Sequence, residues 1–146
     1  MTAFGQPVRD TPTIPEWVDK RTHRLCATAV GYLDSAHEFA KIAAEGGDER
    51  ALSIRLLLEE VLELVKAIVD GDLVETVDGS VDTVYIVAGI ANRFGFNLDA
   101  GWREVHRSNM AKFHDGKAVL DDAGKVVKPA DWTPPDIKGV LEGRIQ

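Results

Sequence analysis

Between Pro15 and Pro129 the chain contains no proline. Nothing in that run removes a backbone donor or locks φ, so helix is open throughout, and the apolar residues recur at spacings of three and four rather than two. Arg21 to Ala44 carries Leu25, Ala29, Leu33, Ala36, Phe39, Ile42 and Ala43 at helical spacing and stops at Gly46-Gly47. A second helix is expected after Asp48 to about Asp70, with Ile54, Leu58, Val61, Val65 and Ile68 on one stripe. Gly71 ends it and Asp72 caps a third helix from about Leu73 to Phe94, with Val77, Val81, Val84, Ala88 and Ala91 along one side. The β-branched residues of Val81 to Val87 would also suit a strand, but the acidic residues there repeat at three and four. Gly95 ends this helix, and Asn97 or Asp99 caps a fourth through about Phe113.

The pattern changes at both ends. Pro7, Pro12 and Pro15 mark an irregular arm over residues 1–16. Over residues 114–146, Asp115-Gly116 and Ala123-Gly124 punctuate Lys117–Leu120 and Lys125–Lys128, which predicts a short β-hairpin or an irregular extension. Trp132 and Pro134-Pro135 then begin a tail that packs across the body. The expected fold is all-α: a bundle of four to five helices in a single domain, 1–146, with that extension.

Composition narrows the partners. Seventeen Lys and Arg stand against 24 Asp and Glu, a net charge of −7, and the cations are scattered, which argues against a nucleic-acid polymer as partner. The uncharged stretch Thr83 to Asn92 is far short of the roughly 20 apolar residues that span a bilayer. Met1 to Glu16 has no apolar signal core, and Cys26 is the one cysteine. A cytoplasmic location is therefore expected, with Cys26 packed as a small apolar side chain.

The chemistry concentrates in acids. Glu59, Glu60 and Glu63 lie within two turns of the second helix and project on a common side, away from Leu58 and Val61. On the third helix Glu75, Asp78, Asp82 and Tyr85 form an acidic strip that ends in a phenol. Helices joined by the short turn at Gly71 pack antiparallel, so the strips can face one another. Facing carboxylates repel, and a hard divalent ion such as Mg²⁺, which prefers oxygen ligands and substrate phosphates, resolves the repulsion. The competing reading is a pair of solvated faces, with Arg55 and Lys66 pairing the glutamates.

The sequence Leu58-Glu59-Glu60-Val61-Leu62-Glu63-Leu64, then Gly71-Asp72-Leu73, Asp78 to Tyr85, Glu104 to Lys112, Asp115-Gly116-Lys117 and Pro134-Pro135-Asp136 resembles the MazG-like all-α nucleoside triphosphate pyrophosphohydrolases, in the branch allied to phosphoribosyl-ATP pyrophosphohydrolase. The similarity covers about Ile54 to Ile137. It implies catalytic and Mg²⁺-binding roles for Glu59, Glu60, Glu63 and Asp82, with Mn²⁺ as a substitute ion. That family usually carries a Glu three residues before the Asp of its second motif, and here Gly79 stands there. Asp78, one turn before Asp82, is the natural substitute ligand, and Glu75 a more distant one. The resemblance also implies nucleotide binding by the segment containing Asn109 and Lys112. Arg107 and Tyr85 are further candidates there, while His106 is a weaker candidate base than a carboxylate.

The expected activity is Mg²⁺-dependent hydrolysis of a nucleoside or deoxynucleoside triphosphate to the monophosphate and pyrophosphate, by a homo-oligomer, dimer or tetramer. The alternatives are an enzyme acting on a phosphoribosyl-nucleotide, a catalytically weakened nucleotide-binding regulator suggested by Gly79, and a helical interaction module.

Overall fold

The computed structural model describes residues 7–114, 117–122 and 126–145. Among the described residues five helices and two short strands follow in order: α1 (Lys20–Ala44), α2 (Glu49–Asp70), α3 (Leu73–Phe94), α4 (Leu98–Met110), β1 (Phe113–His114), β2 (Lys117–Ala118) and α5 (Ile137–Leu141). The fold is all-α with a short C-terminal extension. The chain divides into two compact units, Thr11–Arg93 and one built on Phe94–Gln146.

In the first unit, side chains and glycines set the helix ends. Asp19 accepts the Thr22 N–H at 2.7 Å and starts α1, and Asp48 accepts the N–H groups of Arg50 and Ala51 to start α2. These bonds satisfy donors that a helix leaves open at its first turn. Gly71, at φ 74°, closes α2 in the left-handed region, where a side chain would be strained. Asp72 then accepts the Val74 and Glu75 N–H groups at 3.0 and 3.1 Å and opens α3. With no slack between them, the acids of α2 and α3 are held at a fixed separation along the chain.

α1 packs along α2, and Ala40, Leu62, Ala67 and Val69 are buried in this unit. Cys26 is a half-buried free thiol in α1. An ion pair between Lys66 and Asp34, 3.6 Å, ties the two helices at the surface. The segment before α1 is fastened by Trp17, whose indole N–H donates to the Val69 carbonyl at 3.3 Å.

α3 turns a different side inward from the valine stripe. Val77, Val81 and Val84 are exposed, whereas Gly79 and Ala91 are buried and Leu73, Thr76, Thr83, Ile86 and Ile90 half-buried. Gly79 explains this difference. A Cβ on it would sit 3.1 Å from Leu64 Cα and 3.2 Å from Leu64 N, so the residue without a side chain marks where α3 meets the α2 backbone.

In the second unit Asn97 caps α4 by accepting the Ala100 N–H. α4 ends at Met110, earlier than the expected Phe113, because Phe113 leaves the helix to pair with Ala118 across the β1–β2 hairpin. Regular pairing thus falls one step before the expected hairpin, whose Lys117–Leu120 and Lys125–Lys128 arms keep one bridge, Leu120 to Val126. Asp115-Gly116 and Ala123 to Lys125 lie outside the described residues, as do residues 1–6 of the expected arm.

The tail returns onto α4 through polar bonds. Trp132 Nε1–H donates to the Ser108 carbonyl at 2.8 Å and Ser108 Oγ to the Thr133 carbonyl at 3.0 Å. Asp136 N–H donates to Glu104 Oε1 at 2.8 Å. Glu104 and Ser108 are 5% and 1% exposed, and four residues apart they lie on one helix face. Asp136 caps α5 through the Gly139 N–H. No helix among the described residues is long and apolar enough to cross a membrane.

Candidate active site

Glu59, Glu60 and Glu63 come from α2, and Asp78 and Asp82 from α3. The structure brings these five within electrostatic reach. Burial raises the Glu60 carboxyl above its ordinary pKa, and the charges of Glu63, Asp82, Glu59 and Asp78 raise it further. Both causes disfavour the ionised form. Among the acids of α3, Asp82 and Asp78 are the ones whose charges act on Glu60.

Neutralisation from the protein is slight. Arg55 Nη2 lies 3.5 Å from Glu59 Oε2, and Lys66 turns to Asp34 instead. Five carboxylates with one long ion pair make an all-oxygen donor set carrying surplus negative charge, which suits a hard divalent cation. Among the described residues no three His, Cys, Asp or Glu side chains stand close enough to enclose an ion as placed. The fit to Mg²⁺ therefore rests on donor chemistry and charge.

Gly79 belongs to the packing rather than to the acidic strip. Its missing Cβ faces Leu64 at contact distance, so a glutamate there would have to displace the α2 backbone. Glycine at this position has a steric cause and is not in itself a mark of lost activity.

The remaining candidates are placed as follows. Tyr85 is exposed one turn beyond Asp82 on α3. Asn109 and Lys112 lie together in the second unit, Lys112 Nζ donating to Asn109 Oδ1 at 2.8 Å. Lys112 and Lys128 also approach the Trp132 ring, 5.7 and 4.0 Å from its centroid. Arg107 is committed to Glu104 through Nε and Nη2 at 2.8 and 2.7 Å, which gives it a structural partner. His106 is exposed. In the sequence Glu104 and Ser108 stand out only within the Glu104 to Lys112 motif, and their i, i+4 spacing on α4 is the signal of a polar anchor.

An all-α chain that gathers carboxylates from two consecutive helices around one glutamate presents an oxygen-rich, acidic face. The phosphoribosyl-ATP pyrophosphohydrolase family model matches residues 34–109, just over half of the chain, and the chain belongs to that family. Membership brings a pyrophosphohydrolase-type activity, the hydrolysis of an acid anhydride. No curated protein matches the chain significantly.

Proposed function

We propose that the protein is a Mg²⁺-dependent pyrophosphohydrolase that converts a nucleoside or deoxynucleoside triphosphate to the monophosphate and pyrophosphate. The observation that carries this is the cluster around Glu60, where four other carboxylates and burial act on one glutamate, in a chain whose family hydrolyses such anhydrides. Glu59, Glu60, Glu63, Asp78 and Asp82 would hold the ion, with Mn²⁺ as a substitute. Bound Mg²⁺ supplies charge neutralisation of the phosphates and a lowered pKa for water. One glutamate of the α2 set would also serve as the base that takes the proton of the attacking water. Asn109 offers a donor and an acceptor, and Lys112 a point charge, for the nucleotide.

The family match supports a second reading, in which the substrate is phosphoribosyl-ATP. The bond broken is of the same type, and only the recognition of the remainder differs. Pyrophosphate release measured side by side on a nucleotide panel and on phosphoribosyl-ATP, with and without Mg²⁺, separates the two. Release from at least one substrate that depends on Mg²⁺ and is lost in Glu60→Gln is expected. Silence across the whole set overturns the enzymatic reading.

We also propose a homo-oligomer. α1 leaves Leu25, Tyr32, Phe39 and Ile42 exposed, Phe39 at 74%, and α3 leaves Val74, Val77, Val81 and Val84 exposed, Val74 at 75%. Apolar stripes of this length on two helices favour association. A monomeric mass by light scattering at micromolar concentration would contradict it.

A further inference from the structure

Arg107 and Arg55 both face a glutamate on their own helix, and they use their donors differently. Arg107 uses both donors of one edge of its fork, Nε to Glu104 Oε2 at 2.8 Å and Nη2 to Glu104 Oε1 at 2.7 Å. Arg55 uses half. Its Nη2 reaches Glu59 Oε2 at 3.5 Å, while its Nε is buried without a hydrogen-bond partner. A buried donor left unmade is costly, and native structures leave few of them. The Nε and Nη2 edge of a guanidinium matches a pair of oxygens on a carboxylate or a phosphate.

The position of Arg55 adds to this. It stands one turn before Glu59 on α2, and among the described ion pairs it is the one that reaches the five-carboxylate cluster. A divalent cation that takes Glu59 competes with Arg55 for the same oxygens. We propose that Arg55 is a phosphate-binding residue of the active site: counter-ion to Glu59 in the metal-free protein, it passes to a phosphate oxygen of the substrate, or of pyrophosphate, once a cation holds Glu59. This rests on the cation-binding reading above.

The handover predicts a loss for one ligand and none for the other, whereas an arginine that merely holds the site together would weaken both. Calorimetric titration of the full chain with Mg²⁺, and with inorganic pyrophosphate in saturating Mg²⁺, reads both. Arg55→Met is expected to weaken pyrophosphate binding about tenfold or more, as for the loss of a charge-assisted hydrogen bond, while Mg²⁺ binds as tightly as before or more tightly. Arg55→Lys, which keeps the charge without the fork, is expected to fall between wild type and Arg55→Met, and it carries the test alone if the methionine variant does not fold. Pyrophosphate affinity unchanged in the variants, or a parallel loss for both ligands, overturns the proposal while leaving the cation site standing. Wild-type protein that binds no Mg²⁺ overturns both.

Discussion

Glu60 and Glu104 are the same side chain in opposite surroundings. On α4, two hydrogen bonds from Arg107 and one from the Asp136 N–H hold the Glu104 carboxyl down at about 2. On α2, burial and four neighbouring carboxylates push Glu60 the other way. A carboxylate whose lone pairs are met by the protein is part of the structure. One surrounded by its own kind is left unfinished by the protein, and on that difference we propose Glu60 as a functional group, whereas Glu104 is an anchor.

The contrast breaks most sharply by mutation of the unfinished cluster. The double variant Glu60→Gln, Asp82→Asn is expected to lower Mg²⁺-dependent pyrophosphate release by about a hundredfold or more, at or beyond the upper range seen when groups supporting a metal site are removed. Thermal melts without metal are expected to show it as stable as wild type or slightly more so, since like charges are removed. A variant that loses activity and melts much earlier would place these carboxylates among the structural groups.

Glu104→Ala sharpens the other side. It leaves the Arg107 guanidinium and the Asp136 N–H without their acceptor, so a clear fall in melting temperature is expected, larger than for any single replacement in the α2 cluster. Gly79→Ala comes next. Its methyl would press on the Leu64 backbone at 3.1 Å, and overpacking of this kind costs about 1–3 kcal/mol, measurable as a lower denaturant midpoint.

The two glutamates also give pH dependences of opposite slope. The folded pKa of Glu104 lies below its unfolded value, so its stabilisation is present above the ordinary pKa of 4.5 and is lost as pH falls toward about 2. Glu60 is raised when folded, so its charged form weakens the fold as pH rises through that raised value. Denaturant melts should show the gap between wild type and Glu104→Ala closing below pH 4.5. The smaller advantage of Glu60→Gln should appear only above that range. A gap for Glu104→Ala that does not change with pH would contradict the anchor.

Much of this was legible because punctuation is local. Asp48, Gly71, Asp72 and Asn97 each act on the backbone within three residues, so the ends of α2 and α3 could be read directly from the sequence. Helical spacing and a short turn let the glutamates of α2 face the strip Glu75, Asp78, Asp82 and Tyr85 on α3, and of that strip the charges of Asp82 and Asp78 act on Glu60. What could not be read depends on distant partners. Periodicity places the valines of α3 along one side without saying which side packs, and the approach of Leu64 to Gly79 marks the side that does. The bonds from Trp132, Thr133 and Asp136 to α4 join residues more than twenty positions apart, a separation that no periodicity encodes.

The central claim is that the Glu60 cluster holds a divalent cation. Calorimetric titration of Mg²⁺ into the wild-type protein and into Glu60→Gln, at neutral pH and without nucleotide, tests it most directly. Saturable binding in the wild type that is lost or strongly weakened in the variant is the predicted result; absent binding in the wild type, or equal binding in both, would contradict it.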